Sequence, residues 1–198
     1  MRERPILMTP ANAQKCHEGA KTQTRRIVSV PSWASDEDML KLAIQRPATG
    51  IAYFVDGMPV RRLTCPYGVV GDRLWVREAF CLYGVEGSMH PLYRGQCEEY
   101  PSLKPIWKPS LHMPRWACRT VLEITEVRVE RLKDISSADA LAEGVTVKPD
   151  AEIAARVAGP PETGARMEFF ALWESIHGAG SWSQNPWVWV ISFRKVGV

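Results

Sequence analysis

Alternation of apolar and polar residues is clearest between Thr120 and Leu132 and predicts a long β-strand there. Apolar side chains recur at every second position, which is the spacing that buries one face of a sheet. The run is long enough for one strand or for two strands joined by a bend. Trp187–Phe193 is rich in tryptophan and valine and predicts a final strand, and Leu74–Phe80 predicts another.

Helix signals mark four other segments, which have apolar residues at helical spacing or capping residues at their ends. They are Ala11–Glu18, Asp36–Gln45, a helix that begins at Ser136 or Ser137 and ends at Glu143, and Met167–Ile176. Thr9 and Pro10 precede the first of them and suit a helix start. Gly19 and Gly144 directly follow the first and the third and suit a helix end.

The segments between these elements predict one hairpin and two long loops. Asp56-Gly57 separates Ile51–Val55 from Met58–Leu63 and is a typical hairpin turn. Residues 83–114 and 146–164 are rich in glycine and proline and show no clear period, so they predict loops.

Together these elements predict an α+β, mainly β fold in a single domain over residues 1–198. A compact β-barrel with flanking helices would bury this many strands without open sheet edges. The length of 198 residues, the hydrophobic share of 45% and the eight tryptophans are enough for a packed core. We expect insertions into the barrel at residues 31–62, 83–108 and 145–165.

Composition also limits the location and the partners of the protein. No apolar run approaches the roughly 18 residues of a membrane span, and the first residues lack the layout of a signal peptide. We therefore expect a cytoplasmic protein with no membrane partner. The net charge of +3 is divided unevenly, with +5 on residues 1–135 and −2 on residues 136–198. This mild bias permits a polyanionic or nucleotide partner without requiring one.

Metal and disulfide chemistry have little support in the sequence. The five cysteines are an odd number and form no C-x-x-C pair, and the four histidines are equally dispersed. These residues are Cys16, Cys65, Cys81, Cys97, Cys118, His17, His90, His112 and His177. We expect reduced thiols, no structural metal and no cofactor.

The candidate chemistry begins in the stretch Gly19–Arg26, which follows the first helix. It places the ammonium of Lys21, the hydroxyl of Thr24 and the guanidinium of Arg26 at spacings of three and two. A second polar cluster interrupts the apolar run that ends at Glu78. An ammonium, a hydroxyl and a guanidinium suit a site for a polar or phosphorylated ligand, and if Glu78 faces Lys21, the chain carries a lysine, a threonine and a glutamate in one place. Taken alone, the first stretch is more simply explained as a solvated helix exit or turn, and Glu78 as an ordinary strand-end carboxylate.

The pattern Gly19-x-Lys21-x-x-Thr24-x-Arg26, followed by the strand Gly71–Glu78, resembles the ASCH domain, a PUA-like β-barrel. The spacing of the first motif matches at all four marked positions. Longer strings resemble a branch of ASCH-like proteins carried by phages and prophages: Lys21–Arg26, Trp107–Trp116 and Asn185–Val190. The minimal domain accounts for about half of the chain, and the predicted insertions lie outside it.

This resemblance implies an RNA-linked protein with particular site residues. One small bacterial member of the family is an N4-acetylcytidine amidohydrolase, whose activity is assigned to a lysine, a threonine and a glutamate. By motif these fall on Lys21, Thr24 and Glu78 of this chain. Another relative is credited with ribonuclease activity, so the fold does not settle the reaction. The expected partner is a modified nucleoside or RNA, and a monomer is the favoured state.

Hydrolysis of an amide on an exocyclic nitrogen requires a nucleophile, a base and donors to the oxyanion. Thr24 would attack or position a water, and a base must contact it because its hydroxyl cannot activate itself. Lys21 is that base only if burial or the charge of Arg26 removes its proton, whereas an ionised Glu78 beside it would keep the proton in place. Glu78 would otherwise relay a proton to the leaving amine. The proton inventory stays open at this point.

Five residues are candidate substrate contacts: Arg25, Arg26, Arg77, His112 and Trp116. An exposed Trp116 would be a stacking platform for a base, with burial in the core as its alternative. Three hypotheses follow. The first is an amidohydrolase. The second is a non-catalytic reader of a modified base or structured RNA that uses Arg25, Arg26 and Trp116, and the third is a ribonuclease in which His112 and His177 act as base and acid.

Overall fold

A computed structural model describes residues 1–45, 51–54, 61–85, 88–99, 105–158 and 163–197. The strands in these ranges are β1 (Glu3–Leu7), β2 (Gln23–Ile27), β3 (Ile51–Phe54), β4 (Arg61–Thr64), β5 (Arg73–Arg77), β6 (Phe80–Val85), β7 (Ser88–Tyr93), β8 (Val121–Arg131) and β9 (Trp187–Val196). The α-helices are α1 (Pro10–Glu18), α2 (Asp36–Gln45), α3 (Ser137–Ala142), α4 (Pro149–Ala158) and α5 (Gly164–His177). The predicted α+β, mainly β class is confirmed.

The main sheet has five strands in the order β1-β5-β8-β9-β2. β1 pairs with β5 in parallel, and the other neighbours are antiparallel. Within the described residues no backbone ladder joins β1 to β2, so the sheet is open where a closed barrel was predicted. A side chain connects these two edges instead, because Nη2 of Arg26 on β2 donates to the carbonyl of Leu7 on β1 at 2.6 Å.

The last strand, β9, is buried on both of its faces. Its odd-numbered apolar residues join the larger core, to which α1 and α2 also contribute. Val188 and Val190 point the other way and pack in a second core against Phe169 and Trp173 of α5. Burial on both faces explains why this segment reads as a continuous apolar run rather than an alternating one.

The alternating segment before α3 forms one strand, β8, rather than two. Its pairing with β9 shifts register between Ile124 and Glu126, which marks a bulge. A bulge bends a strand without ending it, so the two alternatives left open by the sequence are resolved in favour of one bent strand.

The predicted helices over residues 11–18, 36–45, 137–143 and 167–176 are all present, within three residues of the expected bounds. Side-chain oxygens of Thr9, Ser136 and Thr163 accept hydrogen bonds at the starts of α1, α3 and α5. Gly19 ends α1 at a φ of 81°. None of the described helices is long and apolar enough to cross a membrane.

Both long-loop predictions missed an element. Residues 83–114 contain most of the β6–β7 hairpin, in which a Cβ on Gly84 would overlap the Ser88 carbonyl. This glycine therefore closes a hairpin rather than loosening a loop. Residues 146–164 contain α4, because its alanines favour a helix and Pro149 occupies a first-turn position where proline is tolerated. The predicted hairpin over residues 51–63 is confirmed as β3 paired with β4, while its Asp56-Gly57 turn lies outside the described residues.

Candidate functional site

A cavity of about 350 Å³ opens at the edge strand β2, between α5 and the N-terminal turn of α1. Its size lies at the lower end of the range for small-molecule sites, about 300–1,000 Å³. Its charged and polar lining includes Lys21, Thr24, Arg25, Arg26, Glu143 and His177. Its apolar wall on α5 is formed by Phe169, Leu172, Trp173 and Ile176. The cavity lining therefore contains four of the predicted site residues, Lys21, Thr24, Arg25 and Arg26.

Strand β2 delivers side chains to the cavity from both of its faces. Thr24 and Arg26 pair with Ile191 and Trp189 of β9, which belong to the larger core. Arg25 lies between them and points to the opposite face. Because β2 is an edge strand, one cavity borders both faces. No strand signal is present in this segment of the sequence, since β2 is short and mostly polar.

Lys21 forms a buried ion pair with Glu143. Its Nζ lies 2.5 Å from Oε2 of Glu143 and 2.9 Å from the Glu143 carbonyl oxygen. Lys21 is 2% exposed and Glu143 is 3% exposed, so solvent screens this pair very little. The pair places an ammonium and a carboxylate in a cavity that Thr24 also lines.

The end of α3 is fastened to the loop that carries Lys21. The amide of Thr22 donates to the Ala142 carbonyl at 2.8 Å, and Nζ of Lys15 donates to the Gly144 carbonyl at 2.7 Å. Gly144 has a φ of +82°, and a Cβ there would lie 3.1 Å from Cβ of Lys21. Glycine therefore permits both the backbone turn and the close approach that brings Glu143 to Lys21.

Arg25 holds the other oxygen of the Glu143 carboxylate. Its Nη1 donates to Oε1 of Glu143 at 3.2 Å, and its Nη2 lies 2.5 Å from Oε1 of Glu130 and 3.4 Å from Oδ2 of Asp139. Arg128 binds the same two acids, Glu130 at 3.1 Å and Asp139 at 2.9 Å. Both carboxylate oxygens of Glu143 thus have cationic partners, which fixes the orientation of the group.

Asp139 has a pKa well below its ordinary value, at about 2. Burial raises this pKa, but the hydrogen bond from Gln23 and the charges of Arg128 and Arg25 lower it by more. Asp139 is therefore an anion at neutral pH and serves as a fixed negative charge beneath Arg25.

Arg26 differs from the other two cations that line the cavity. Its Nη2 is held by the Leu7 carbonyl, and its guanidinium lies 5.8 Å from the ring centroid of Tyr67. No carboxylate among the described residues pairs with it. Arg26 is therefore a positioned cation that no acid in the described part of the chain neutralises.

His177 lies at the α5 end of the cavity and stacks on Trp173, with ring centroids 4.1 Å apart. Burial and the nearby charge of Arg26 lower the pKa of His177. The imidazole is therefore mainly neutral at pH 7 and presents a planar, uncharged surface.

Glu78 does not face Lys21. Its carboxylate, 1% exposed, accepts two hydrogen bonds of 2.8 Å from Nε and Nη2 of Arg119, and it does not line the cavity. Glu78 follows β5, and two strands, β8 and β9, separate β5 from β2 in the sheet. Arg119 lies two residues before β8, the strand next to β5, and this position brings its guanidinium to Glu78. Glu143 occupies the position beside Lys21 that the sequence assigned to Glu78.

Arg77, His112 and Trp116 also lie outside the cavity lining. Arg77 donates from Nη2 to the Leu111 carbonyl, and its guanidinium lies 5.2 Å from the ring centroid of Trp75. His112 is exposed, and so is Trp116 at 63%, which excludes a core position for that tryptophan. Arg77 still neighbours the cavity, because it pairs with Leu7 and its carbonyl accepts from the amide of Met8, and both of these residues line it.

Glu143 is the buried acid of this cavity that the sequence analysis did not identify. One signal was available: it is an acidic residue at the C-terminal end of a helix, directly before the glycine that ends it. A carboxylate is unfavourable there because the helix dipole presents partial negative charge. An acid in that position indicates a compensating cation elsewhere in the fold, and Lys21 and Arg25 are those cations.

Cys16, Cys65, Cys81 and Cys118 are buried, and no disulfide joins any two of them. No group of three or more metal-ligating side chains occurs in the part of the chain that the structure describes.

Comparison with known proteins gives little further guidance. No family model matches the chain, and no curated protein matches it. Two solved structures align with all of this chain and 81% of their own: an Enterococcus faecalis protein described under the family model DUF984, at 12% identity and a TM-score of 0.39, and an ASCH domain from Lactobacillus crispatus, at 13% identity and a TM-score of 0.40. Likenesses at these TM-scores carry no conclusion about family or activity.

Proposed function

We propose that this protein is an amidohydrolase that removes an acyl group from N4 of a modified cytosine, with Lys21, Thr24 and Glu143 in its active site. The observation that carries the proposal is the buried Lys21–Glu143 pair in the same cavity lining as Thr24. The Gly19–Arg26 motif, which resembles that of the ASCH domain, supports the choice of substrate. Glu143 takes the part that the motif comparison assigned to Glu78.

In this proposal the base is Glu143 rather than Lys21. With the two side chains in contact, Glu143 carries the negative charge and is the group able to accept a proton. It takes that proton from the hydroxyl of Thr24, or from a water that Thr24 positions, as the oxygen attacks the acyl carbon. Lys21 remains an ammonium and stabilises the oxyanion that forms. Glu143 then gives the proton to the N4 leaving group as the amide bond breaks. When Thr24 is the nucleophile, a water activated by Glu143 next hydrolyses the Thr24 ester, which releases the carboxylic acid and restores the hydroxyl.

The wall on α5 suits a planar base. Phe169, Leu172 and Trp173 provide apolar surface, and the neutral His177 extends it toward the opening of the cavity. Stacking of a base on aromatic side chains contributes about 1–3 kcal/mol per base. Lys21, Thr24 and Glu143 would then meet the polar edge of the base and its acyl substituent.

The test is release of cytidine from N4-acetylcytidine by the purified protein, followed by chromatography. We expect turnover by the wild type, and a loss of about 10²–10⁴-fold in kcat for Lys21→Ala and for Thr24→Val. Thr24→Val keeps the shape of the side chain, so it remains informative if Lys21→Ala fails to fold. Lys148→Ala, at an exposed lysine, is the matched control and should keep full activity.

Other outcomes identify the alternatives. Binding of N4-acetylcytidine without release of cytidine would replace the enzyme with a non-catalytic reader. Cleavage of a labelled RNA that depends on His177 would favour a ribonuclease, although His112, the second histidine of that hypothesis, lies outside the cavity lining.

A further inference from the structure

We propose that Arg26 forms a phosphate-binding subsite and that the natural ligand is a nucleoside monophosphate rather than a free nucleoside. The inference rests on the proposed function only in taking cytosine as the base. It specifies the part of the ligand that lies beyond the base and the acyl group.

The charge pairing in the cavity carries this inference. Lys21 and Arg25 each contact carboxylates, so their charges are balanced by Glu143, Glu130 and Asp139. Arg26 lines the same cavity with no carboxylate partner among the described residues. An anionic ligand would complement this charge, which no acid in the described ranges balances.

Arg26 is also held in place for a ligand. The Leu7 carbonyl accepts from Nη2 at 2.6 Å, and the Tyr67 ring lies under the guanidinium. Nη1 has no protein acceptor in the described part of the chain, so this arm of the fork is free to bind an oxygen. A planar guanidinium with a free arm suits phosphate better than a flexible lysine would.

The N-terminus of α1 reinforces the positive potential at this place. Thr9, Pro10 and Asn12 line the cavity, and no acidic side chain occupies the first turn of the helix. A helix N-terminus carries partial positive charge that favours an anion. The helix adds to the Arg26 site and does not define it.

The size of the cavity supports a single nucleotide. A volume of about 350 Å³ accommodates a base with its sugar, and the opening leaves a phosphate at the mouth where Arg26 is partly exposed. A polymer would extend beyond this space, which is why the proposal commits to a monophosphate.

The experiment measures dissociation constants by calorimetry for cytidine and for cytidine 5′-monophosphate, neither of which can be deacylated. We expect the monophosphate to bind about 10- to 100-fold more tightly, because hydrogen bonds to a charged group contribute that much affinity. Arg26→Gln should remove this preference and leave cytidine binding nearly unchanged. Arg194→Gln, which removes an equal charge from an exposed residue, is the matched control and should keep the preference.

Two further arms make the result independent of the variant's folding and of catalysis. With the wild type, inorganic phosphate should compete with the monophosphate and not with cytidine. Equal affinity for cytidine and its monophosphate would overturn the proposal, even if N4-acetylcytidine is hydrolysed. A short oligocytidylate that binds far more tightly than the monophosphate would overturn it in favour of an RNA backbone. If the hydrolysis assay fails while the Arg26-dependent preference is present, the phosphate subsite stands without the amidohydrolase.

Discussion

Two buried cation–carboxylate pairs, Lys21–Glu143 and Arg119–Glu78, differ in what surrounds them. Both pairs lie close enough to Cys16 in α1 to affect its thiol. Burial raises the pKa of this thiol to about 12, while the charge of Lys21 lowers it and the charges of Glu143 and Glu78 raise it. Only the first pair borders the cavity.

The Arg119–Glu78 pair, called the closed pair below, does not line the cavity, and other side chains surround it. Arg119 reaches both oxygens of Glu78, lies 4.2 Å from the ring centroid of Tyr93, and donates to Gln14 at 2.9 Å. Glu143 is nearly as buried, at 3% against 1% for Glu78, but it lines the cavity, as Thr24 does. Burial of an ion pair therefore does not by itself identify a binding site. Access for a ligand distinguishes the Lys21–Glu143 pair from the Arg119–Glu78 pair.

The largest effect should separate the two glutamates. Glu143→Gln keeps the shape of the side chain but cannot accept a proton, so kcat on N4-acetylcytidine should fall by about 10²–10⁴-fold. Glu78→Gln is the matched substitution in the closed pair. It leaves Arg119 as an uncompensated buried charge, which should lower the free energy of unfolding by roughly 3–5 kcal/mol while kcat per folded molecule is kept.

The measurements are initial rates and urea unfolding for both variants. An active Glu143→Gln beside an inactive but fully stable Glu78→Gln would reverse the assignment of the two pairs.

A smaller effect should come from the glycine that lets Glu143 approach Lys21. Gly144→Ala forces a non-glycine residue to a φ of +82° and places its Cβ 3.1 Å from Cβ of Lys21, so the lysine must shift. Gly19→Ala is the matched control, since its φ is +81° and nothing lies within 4 Å of the added Cβ. Both variants should lose about 1–2 kcal/mol of stability from backbone strain.

Only Gly144→Ala should also lower kcat, by about tenfold, because a displaced catalytic group costs rate. Equal kcat values for the two glycine variants would show that the packing of Gly144 against Lys21 has no part in catalysis.

The smallest effect concerns the acid beneath Arg25. The pKa of Asp139 is lowered to about 2 in the folded protein, from an ordinary value of 3.8. A carboxyl with a depressed folded pKa contributes stability that is present above pH 4 and lost as the pH falls toward 2. We expect this contribution to be about 2 kcal/mol, by the linkage of pKa shift and stability.

Urea unfolding of the wild type and of Asp139→Asn between pH 7 and pH 2 measures it. The variant should be less stable at pH 7, and the difference should shrink below pH 4. If the two stability curves stay parallel over the whole pH range, the ion-pair network around Lys21 and Glu143 does not depend on the charge of Asp139.

Local signals predicted much of the fold. The helix over residues 36–45 was placed at its observed bounds, and the first helix began one residue earlier than predicted, because caps, prolines and glycines act within a few residues of each end. The hairpin of β6 and β7 and the helix α4 were missed, since glycine and proline were weighed above the residues around them. A closed barrel was expected from the strand content, but closure depends on how the edge strands meet.

The site was predicted in part for the same reason. Lys21, Thr24 and Arg26 lie in one short motif, so their proximity is nearly fixed by the chain. The carboxylate comes from a remote segment, and its identity depends on the sheet order and on the docking of α3. The residues next to Glu143 and Glu78 do not show which of the two carboxylates lies beside Lys21.

Strand β2 has β9 as its neighbour in the sheet, and Gln23 meets Ser192 across 169 positions of the chain. On a ribosome, β2 and the cations of the cavity are synthesised long before β9, the strand that pairs with β2. Contacts between such distant segments form slowly. A nascent chain that stops before residue 187 therefore has no ladder on which to hold Thr24 and Arg26, and the cavity can form only once β9 has been translated.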